Sequence, residues 1–234
     1  MPSVLILGDG PTPQAQATER GRLFEDLMTK VIAQVGYNVT EVPRRNYAGM
    51  EIDIEATAVL GSTPLYAECK CYAEPVTAPL YQAFFGKFAG RWHRDNGSRG
   101  LFIAIPGVNG AVWAFHRESV EPIEGAVVEI IEQDRVVQLV VDSGLTVSED
   151  VIKRQVQPAE GSPGDVQLLF TSRGLYWAQF VLARGMTTPS GIALFDSSGN
   201  RISDEPFLET LTKLRPEYEG GVPPLLRTVG GFRR

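Results

Sequence analysis

The chain has 234 residues, 43% of them hydrophobic and 21% charged, which is enough to bury one large core or two small ones. A net charge of −6 excludes a protein that coats nucleic acid non-specifically, yet leaves room for a local basic groove. The two cysteines, Cys69 and Cys71, lie too close on one strand to bridge comfortably, which excludes a disulfide framework and suits a reducing compartment.

The opening MPSVLILGDG has no charged leader and runs into the polar PTPQAQATERG, so no signal peptide is read there. No apolar run approaches the roughly 18 residues that a membrane helix needs. A cytoplasmic protein without membrane contact is expected. The GDG of the opening lacks the further glycine of a nucleotide fingerprint and reads as a strand-to-loop turn. Residues 18 to 36 predict a helix, capped by Thr18 and ended by Gly36, with Phe24, Leu27, Met28, Val31, Ile32 and Val35 at helical spacing. Glu25 falls at the edge of that apolar stripe, and Asp26 points away from it.

Three strands are expected next, at Tyr37 to Pro43, Met50 to Val59 and Pro64 to Tyr72, the last two joined by the hairpin residues Gly61 and Ser62. Each of the last two has one packing face and one charged face. Ile52, Ile54 and Ala56 oppose Glu51, Asp53 and Glu55; Ala67, Cys69 and Cys71 oppose Tyr66, Glu68, Lys70 and Tyr72. Glu51 and Glu55 are expected to be mainly solvated, and the cysteines to be core. A helix from Ala78 to about Arg94, with Leu80, Tyr81, Phe84, Phe85, Phe88 and Trp92 as its stripe, precedes a fully buried strand from Gly100 to Pro106.

Beyond residue 120 the texture changes. AVVEIIE and RVVQLVV read as short β-like runs, SEDVIKRQV as helical, and QPAEGSPGD (157 to 165) as a linker. VQLLFTS, LYWAQFVLA and GIALFD read as three strands, the last closed by the turn at 196 to 200, with a final helix around Pro206 to Leu214. Tyr176, Trp177 and Phe180 are read as core or interface. The first 105 residues hold 10 Lys and Arg against 11 Asp and Glu, and the remainder 12 against 17, so the acidity lies in the second part. That part contains no carboxylate–lysine constellation and is expected to be accessory or regulatory. His93 and His116 have no metal-ligand spacing and are read as structural or surface residues.

The charged strand faces carry the chemistry. Asp53 on one strand and Glu68 on the next bring two carboxylates together, with Lys70 two residues along. Such a pair suits a hard divalent cation such as Mg²⁺, which takes one or two carboxylates and fills its other positions with water or phosphate. A metal there would activate a water, and an ammonium could position it or stabilise a phosphoryl transition state. Arg44 and Arg45 before the Asp53 strand, and Arg91 and Arg94 at the end of the aromatic helix, are candidates for holding phosphates.

This order of elements resembles the PD-(D/E)XK nuclease superfamily, in particular its Mrr-like restriction endonuclease branch. GMEIDIEA (49 to 56) supplies the Asp and ECK (68 to 70) the second half of the signature; RLFE (22 to 25) and QAFFG (82 to 86) resemble its flanking helical segments. The proline that usually precedes the Asp is replaced by Ile52. The resemblance spans residues 18 to 106. It implies that Asp53, Glu68 and the backbone carbonyl of Cys69 are metal ligands, that Lys70 orients water, and that Glu25 is a ligand or a supporting carboxylate. Gln82 is a lesser catalytic candidate. The element order reads as an α/β protein with a mixed sheet, and the resemblance implies a restriction-endonuclease-like core with a mixed central sheet flanked by helices in residues 1–120; the change of texture beyond it reads as a smaller α+β domain in 121–234. The expected activity is Mg²⁺-dependent DNA cleavage, with Mn²⁺ able to substitute, in a prokaryotic restriction or antiphage defence system. Alternatives are a structure-selective repair or Holliday-junction nuclease, and an idle nuclease fold that only binds DNA. A homodimer or larger assembly is expected, as is a sensor or NTPase module in another chain or beyond residue 234, because the ending LLRTVGGFRR does not read as a domain edge.

Overall fold

The computed structural model describes residues 3–40, 52–155, 161–183 and 189–202. Arg44, Arg45, Glu51 and the expected helix at Pro206 to Leu214 lie outside them. The described elements run β1 (Ser3–Leu7), α1 (Pro13–Gln34), β2 (Tyr37–Thr40), β3 (Ile54–Ala58), β4 (Pro64–Cys71), α2 (Ala78–Trp92), β5 (Arg99–Ile105), α3 (Gly110–Phe115), a π-helical turn (His116–Val120) and β6 (Val127–Ile131). They continue through α4 (Gln133–Asp142), α5 (Glu149–Lys153), β7 (Ser162–Thr171), β8 (Gly174–Leu182), β9 (Pro189–Asp196) and β10 (Arg201–Ile202).

Two mixed sheets result, ordered β2-β3-β4-β5-β6 and β1-β7-β8-β9-β10. In the first, β2, β3 and β4 form an antiparallel meander, and β5 and β6 add in parallel, each after a helical connection. Because β6 completes this sheet, its compact unit is Phe24–Val136, and the other unit is Met1–Leu23 with Val137–Arg234. The expected break at residue 120 therefore moves to about 136. The second unit is also discontinuous, since β1 pairs in parallel with β7.

In the first unit β4 is central and its two faces are covered differently. On one face Phe102 and Ala104 of β5 and Val128 of β6 pack with Tyr81, Phe84 and Phe88 of α2, and with Val76, Val112 and Val120. Glu68 pairs in register with Phe102, and Lys70 with Ala104, so the charged residues of β4 share this aromatic face. The opposite face carries Ala67, Cys69, Cys71, Ile103 and Ile105, all buried. α1 contributes a buried stripe of Phe24, Leu27, Met28, Val31 and Ile32.

α1 starts earlier than the sequence predicts. Thr12 accepts the Ala15 N–H at 3.2 Å ahead of Pro13, a residue suited to a first helical turn, whereas Thr18 sits inside the helix and donates to the Gln14 carbonyl at 3.0 Å. Gly36 ends the segment as expected, with a φ of 95° that only glycine adopts freely. RVVQLVV is helical, not β-like. Its buried residues are Val136, Val137 and Val140, a helical spacing, with Arg135 before them and Gln138 between them exposed; the β-branched run misleads because packing overrides propensity. The segment read as a linker contributes the start of β7. There the ladder is irregular between Pro163 and Val166, and the Gln179 side chain donates to the Gly164 carbonyl at 2.8 Å and to the Asp165 carbonyl at 3.3 Å.

In the second unit Leu5, Leu7, Leu169, Ala178 and Leu194 form one core. Trp177 is fully buried, and its indole N–H donates to Thr146 Oγ1 at 2.8 Å. Trp177 and Phe180 are thus core residues, as the sequence suggests.

The aromatic cluster under α2 should dominate the stability of the first unit. Phe84 is fully buried, with ring centroids 5.4 Å from Phe102 and 6.2 Å from Tyr81. Phe84→Ala is expected to cost about 3–5 kcal/mol. Urea titration read by tryptophan fluorescence measures it, and a loss under 1 kcal/mol would contradict this packing.

Candidate active site

Asp53 lies in the bend that leads into β3, one residue before the pair Ile54–Ala67. The register continues to bring Asp53 beside Glu68. Asp53 Oδ2 accepts the backbone N–H of Cys69 at 2.7 Å, which fixes the carboxylate at the edge of β4. Lys70 Nζ lies 2.9 Å from Glu68 Oε1 and 3.6 Å from Asp53 Oδ2. The three residues named from the strand pattern are therefore one cluster.

Glu68 is 4% exposed, a rare placement for a carboxylate. It is tolerated because two ammonium groups meet it. The second is Lys87 of α2, whose Nζ lies 3.0 Å from Oε1 and 3.2 Å from Oε2. Lys87 was not anticipated. The available signal is that α2 holds only two charges, Lys87 and Arg91, and that Lys87 flanks the buried Phe84 and Phe88. Arg91 pairs with Glu55 at 2.6 Å and lies over the Tyr66 ring, 5.1 Å from its centroid. Glu55, expected to be solvated, is thus an ion-pair partner, and Arg91 is committed to it. Arg94, one turn on, is exposed.

The electrostatics follow from this crowding. Burial raises the Asp53 pKa above its ordinary 3.8, and the nearby Glu68 adds to the rise; Lys70, the Cys69 N–H and Lys87 offset it only in part. Burial opposes the charge of Lys70, but Asp53 and Glu68 outweigh it and push its pKa up to about 12. Lys70 is an ammonium throughout the neutral range. Burial first, then Asp53 and Glu25, raise the Cys69 thiol well above its usual range, so Cys69 is an inert core thiol. The same influence puts Glu25 of α1 within electrostatic reach of this end of β4. Gln82 is exposed on α2 and makes no hydrogen bond to the cluster among the described residues.

Among the described residues no three His, Cys, Asp or Glu side chains group as a metal cage. The donor set is instead the two carboxylates of Asp53 and Glu68, which suits Mg²⁺ when water and phosphate supply the rest. His116 is elsewhere: its Nδ1 pairs with the Tyr81 hydroxyl at 2.6 Å inside the aromatic core, and burial lowers its pKa. It is structural, as expected.

Asp53 gives a pH signature with a definite sign. Its folded pKa is raised, so the native state binds more protons than the unfolded chain between 3.8 and the raised value, and stability falls as pH rises through that interval. Asp53→Asn should therefore unfold at higher urea than wild type at pH 7 in EDTA. The gap should close as pH drops towards 3.8. A variant less stable than wild type at pH 7 would reverse the assigned sign.

A family model described as restriction endonuclease, the Mrr catalytic domain, matches residues 17–140. The match covers the first unit from α1 to α4. No curated protein matches the chain.

Proposed function

Starting from a chain that belongs to the Mrr-type restriction endonuclease family, we propose that it is a metal-dependent DNA endonuclease whose site is Asp53, Glu68 and Lys70. The observation that carries this reading is the Lys70 ammonium, held 2.9 Å from Glu68 and 3.6 Å from Asp53 at the end of a central strand. Asp53 and Glu68, with the Cys69 carbonyl, would hold Mg²⁺ or Mn²⁺. A bound cation of this kind lowers the pKa of a coordinated water and offsets charge on the cleaved phosphate.

The chain's own groups supply the rest. Lys70 is too basic to take a proton at neutral pH, so its work is to orient the attacking water by donating a hydrogen bond and to stabilise negative charge on the phosphate oxygens. The Cys69 N–H holds Asp53 in one orientation. Glu25 adds negative charge at the rim of the site and supports cation binding. Arg94 is the described basic candidate for a DNA phosphate, together with Arg44 and Arg45. The raised Asp53 pKa, due first to burial and then to the neighbouring Glu68, favours an active site over an idle fold. A defence role, acting with a sensor or NTPase module, is consistent with the family.

Asp53→Ala, Glu68→Ala and Lys70→Ala should each lower plasmid cleavage at least about a hundredfold, in line with the loss of a group that acts on the transition state. EDTA should abolish cleavage in the wild type, and far-UV circular dichroism should show the variants folded. Wild-type cleavage that is indifferent to EDTA, or full activity in the triple variant, refutes the assignment.

One such site cuts one strand, so concerted double-strand breaks require two, most simply in a symmetric dimer. Light scattering should find a dimer or larger species under cleavage conditions. Double-strand breaks made in single encounters by a strict monomer would argue against it.

A further inference from the structure

We propose that Lys87, which lies outside the Asp-Glu-Lys signature, competes with the divalent cation for Glu68 and, once displaced, binds a phosphate of the DNA. The proposal rests on the nuclease reading above and adds a residue to it. Lys87 Nζ spans both oxygens of Glu68, at 3.0 and 3.2 Å, while Lys70 Nζ contacts the same Oε1 at 2.9 Å. Two ammonium groups thus deliver to one buried carboxylate the charge of one divalent ion. A cation that takes Glu68 as a ligand meets both of them, and like charges around one oxygen repel.

The two lysines are anchored differently. Lys70 is fixed on β4 and shared between Glu68 and Asp53. Lys87 reaches in from α2 and, among the described residues, ion-pairs with Glu68 alone. It is the one that yields. The other α2 cation inside the cluster, Arg91, remains held by Glu55 at 2.6 Å, so displacement frees Lys87 specifically. A released ammonium beside a metal-bound carboxylate stands where the anionic backbone must approach, and a compact, hydrated, flexible point charge suits a phosphate oxygen. Lys87 therefore couples the two ligands: the cation gives it up to the DNA, and the DNA keeps it off the carboxylate. The two should bind with positive cooperativity, each strengthening the other by the same factor.

The test uses the full chain as wild type, Lys87→Gln and Lys87→Arg, with Ca²⁺ as the probe because it takes the same oxygen donors. Calorimetry without DNA should show Lys87→Gln binding Ca²⁺ about fivefold tighter than wild type or better. Fluorescence anisotropy with a labelled duplex in Ca²⁺ should show the same variant binding DNA about fivefold more weakly, with a salt slope reduced by about one. Lys87→Arg should move the other way for the ion, since a forked guanidinium grips Glu68 harder, and should retain DNA affinity. This second variant keeps the test decisive if Lys87→Gln does not fold. Unchanged or weaker Ca²⁺ binding in folded Lys87→Gln overturns the competition, and an unchanged salt slope overturns the phosphate contact. A wild type that binds no divalent ion overturns the nuclease reading as well; a wild type that binds it and cuts, with Lys87→Gln indistinguishable, overturns the role of Lys87 alone.

Discussion

Glu68 is the constraint around which the first unit is arranged. A carboxylate that is 4% exposed, set in register with Phe102 on the aromatic face of the sheet, is expensive to desolvate. Its neighbours are what make it tolerable. β4 supplies Lys70 from two residues along, and α2 supplies Lys87 from across the face. One turn further on, Arg91 repeats the arrangement with Glu55. The helix therefore docks by two means at once: Tyr81, Phe84 and Phe88 fill the core over β5, while both of its cations meet the acids of β3 and β4. A slip of α2 by one residue would misplace the rings and orphan two carboxylates together.

Buried ion pairs of this kind are weak evidence for stability, because desolvating the charges costs about as much as their attraction returns. An apolar residue at 68, packed against Phe84 and Phe102, would serve the core equally well. The charge is retained at a place where the core alone gives no reason for it, and such local violations of good packing are expected at functional sites. The same reasoning does not extend to the Tyr81–His116 pair. That pair is satisfied within the protein, with His116 Nε2 also 3.6 Å from Glu121 Oε1, and needs no external ligand.

The strand pattern made Asp53, Glu68 and Lys70 legible before any coordinates, because alternation on a strand directly assigns faces. The meander, α2, the buried β5 strand and β6 were legible for similar reasons, being long or strongly periodic. What could not be read was which element faces the charges. Lys87 looks like an ordinary solvated residue on a helix and Arg91 like a phosphate contact, since a single sequence says nothing about what lies opposite. The RVVQLVV run was misread because two β-branched pairs outweighed a helical spacing that only tertiary packing makes decisive. The domain break was misplaced for a topological reason: β6 belongs to the earlier sheet, and β1 finds its partner β7 more than 150 residues later. Long-range parallel pairing leaves no local trace.

That topology bears on how the catalytic unit can be isolated. A chain cut at residue 120 would lack β6 and would expose the edge of β5, whose buried Phe102 and Ile103 pair with Ile130 and Ile131. It would also lose Glu132, whose Oε1 accepts the Val108 N–H at 2.8 Å and so ties the loop after β5 to the end of β6. An exposed apolar strand edge is a template for aggregation. The family match runs past β6 and Glu132 and ends at residue 140, within α4. At the other end α1 cannot be trimmed to its polar half, since the stripe from Phe24 to Ile32 and the carboxylate of Glu25 lie on the same three turns. The residues that build the site and those that hold the sheet together are interleaved on these elements, so the boundaries of the nuclease are set by β6 and α1 and not by the signature residues themselves.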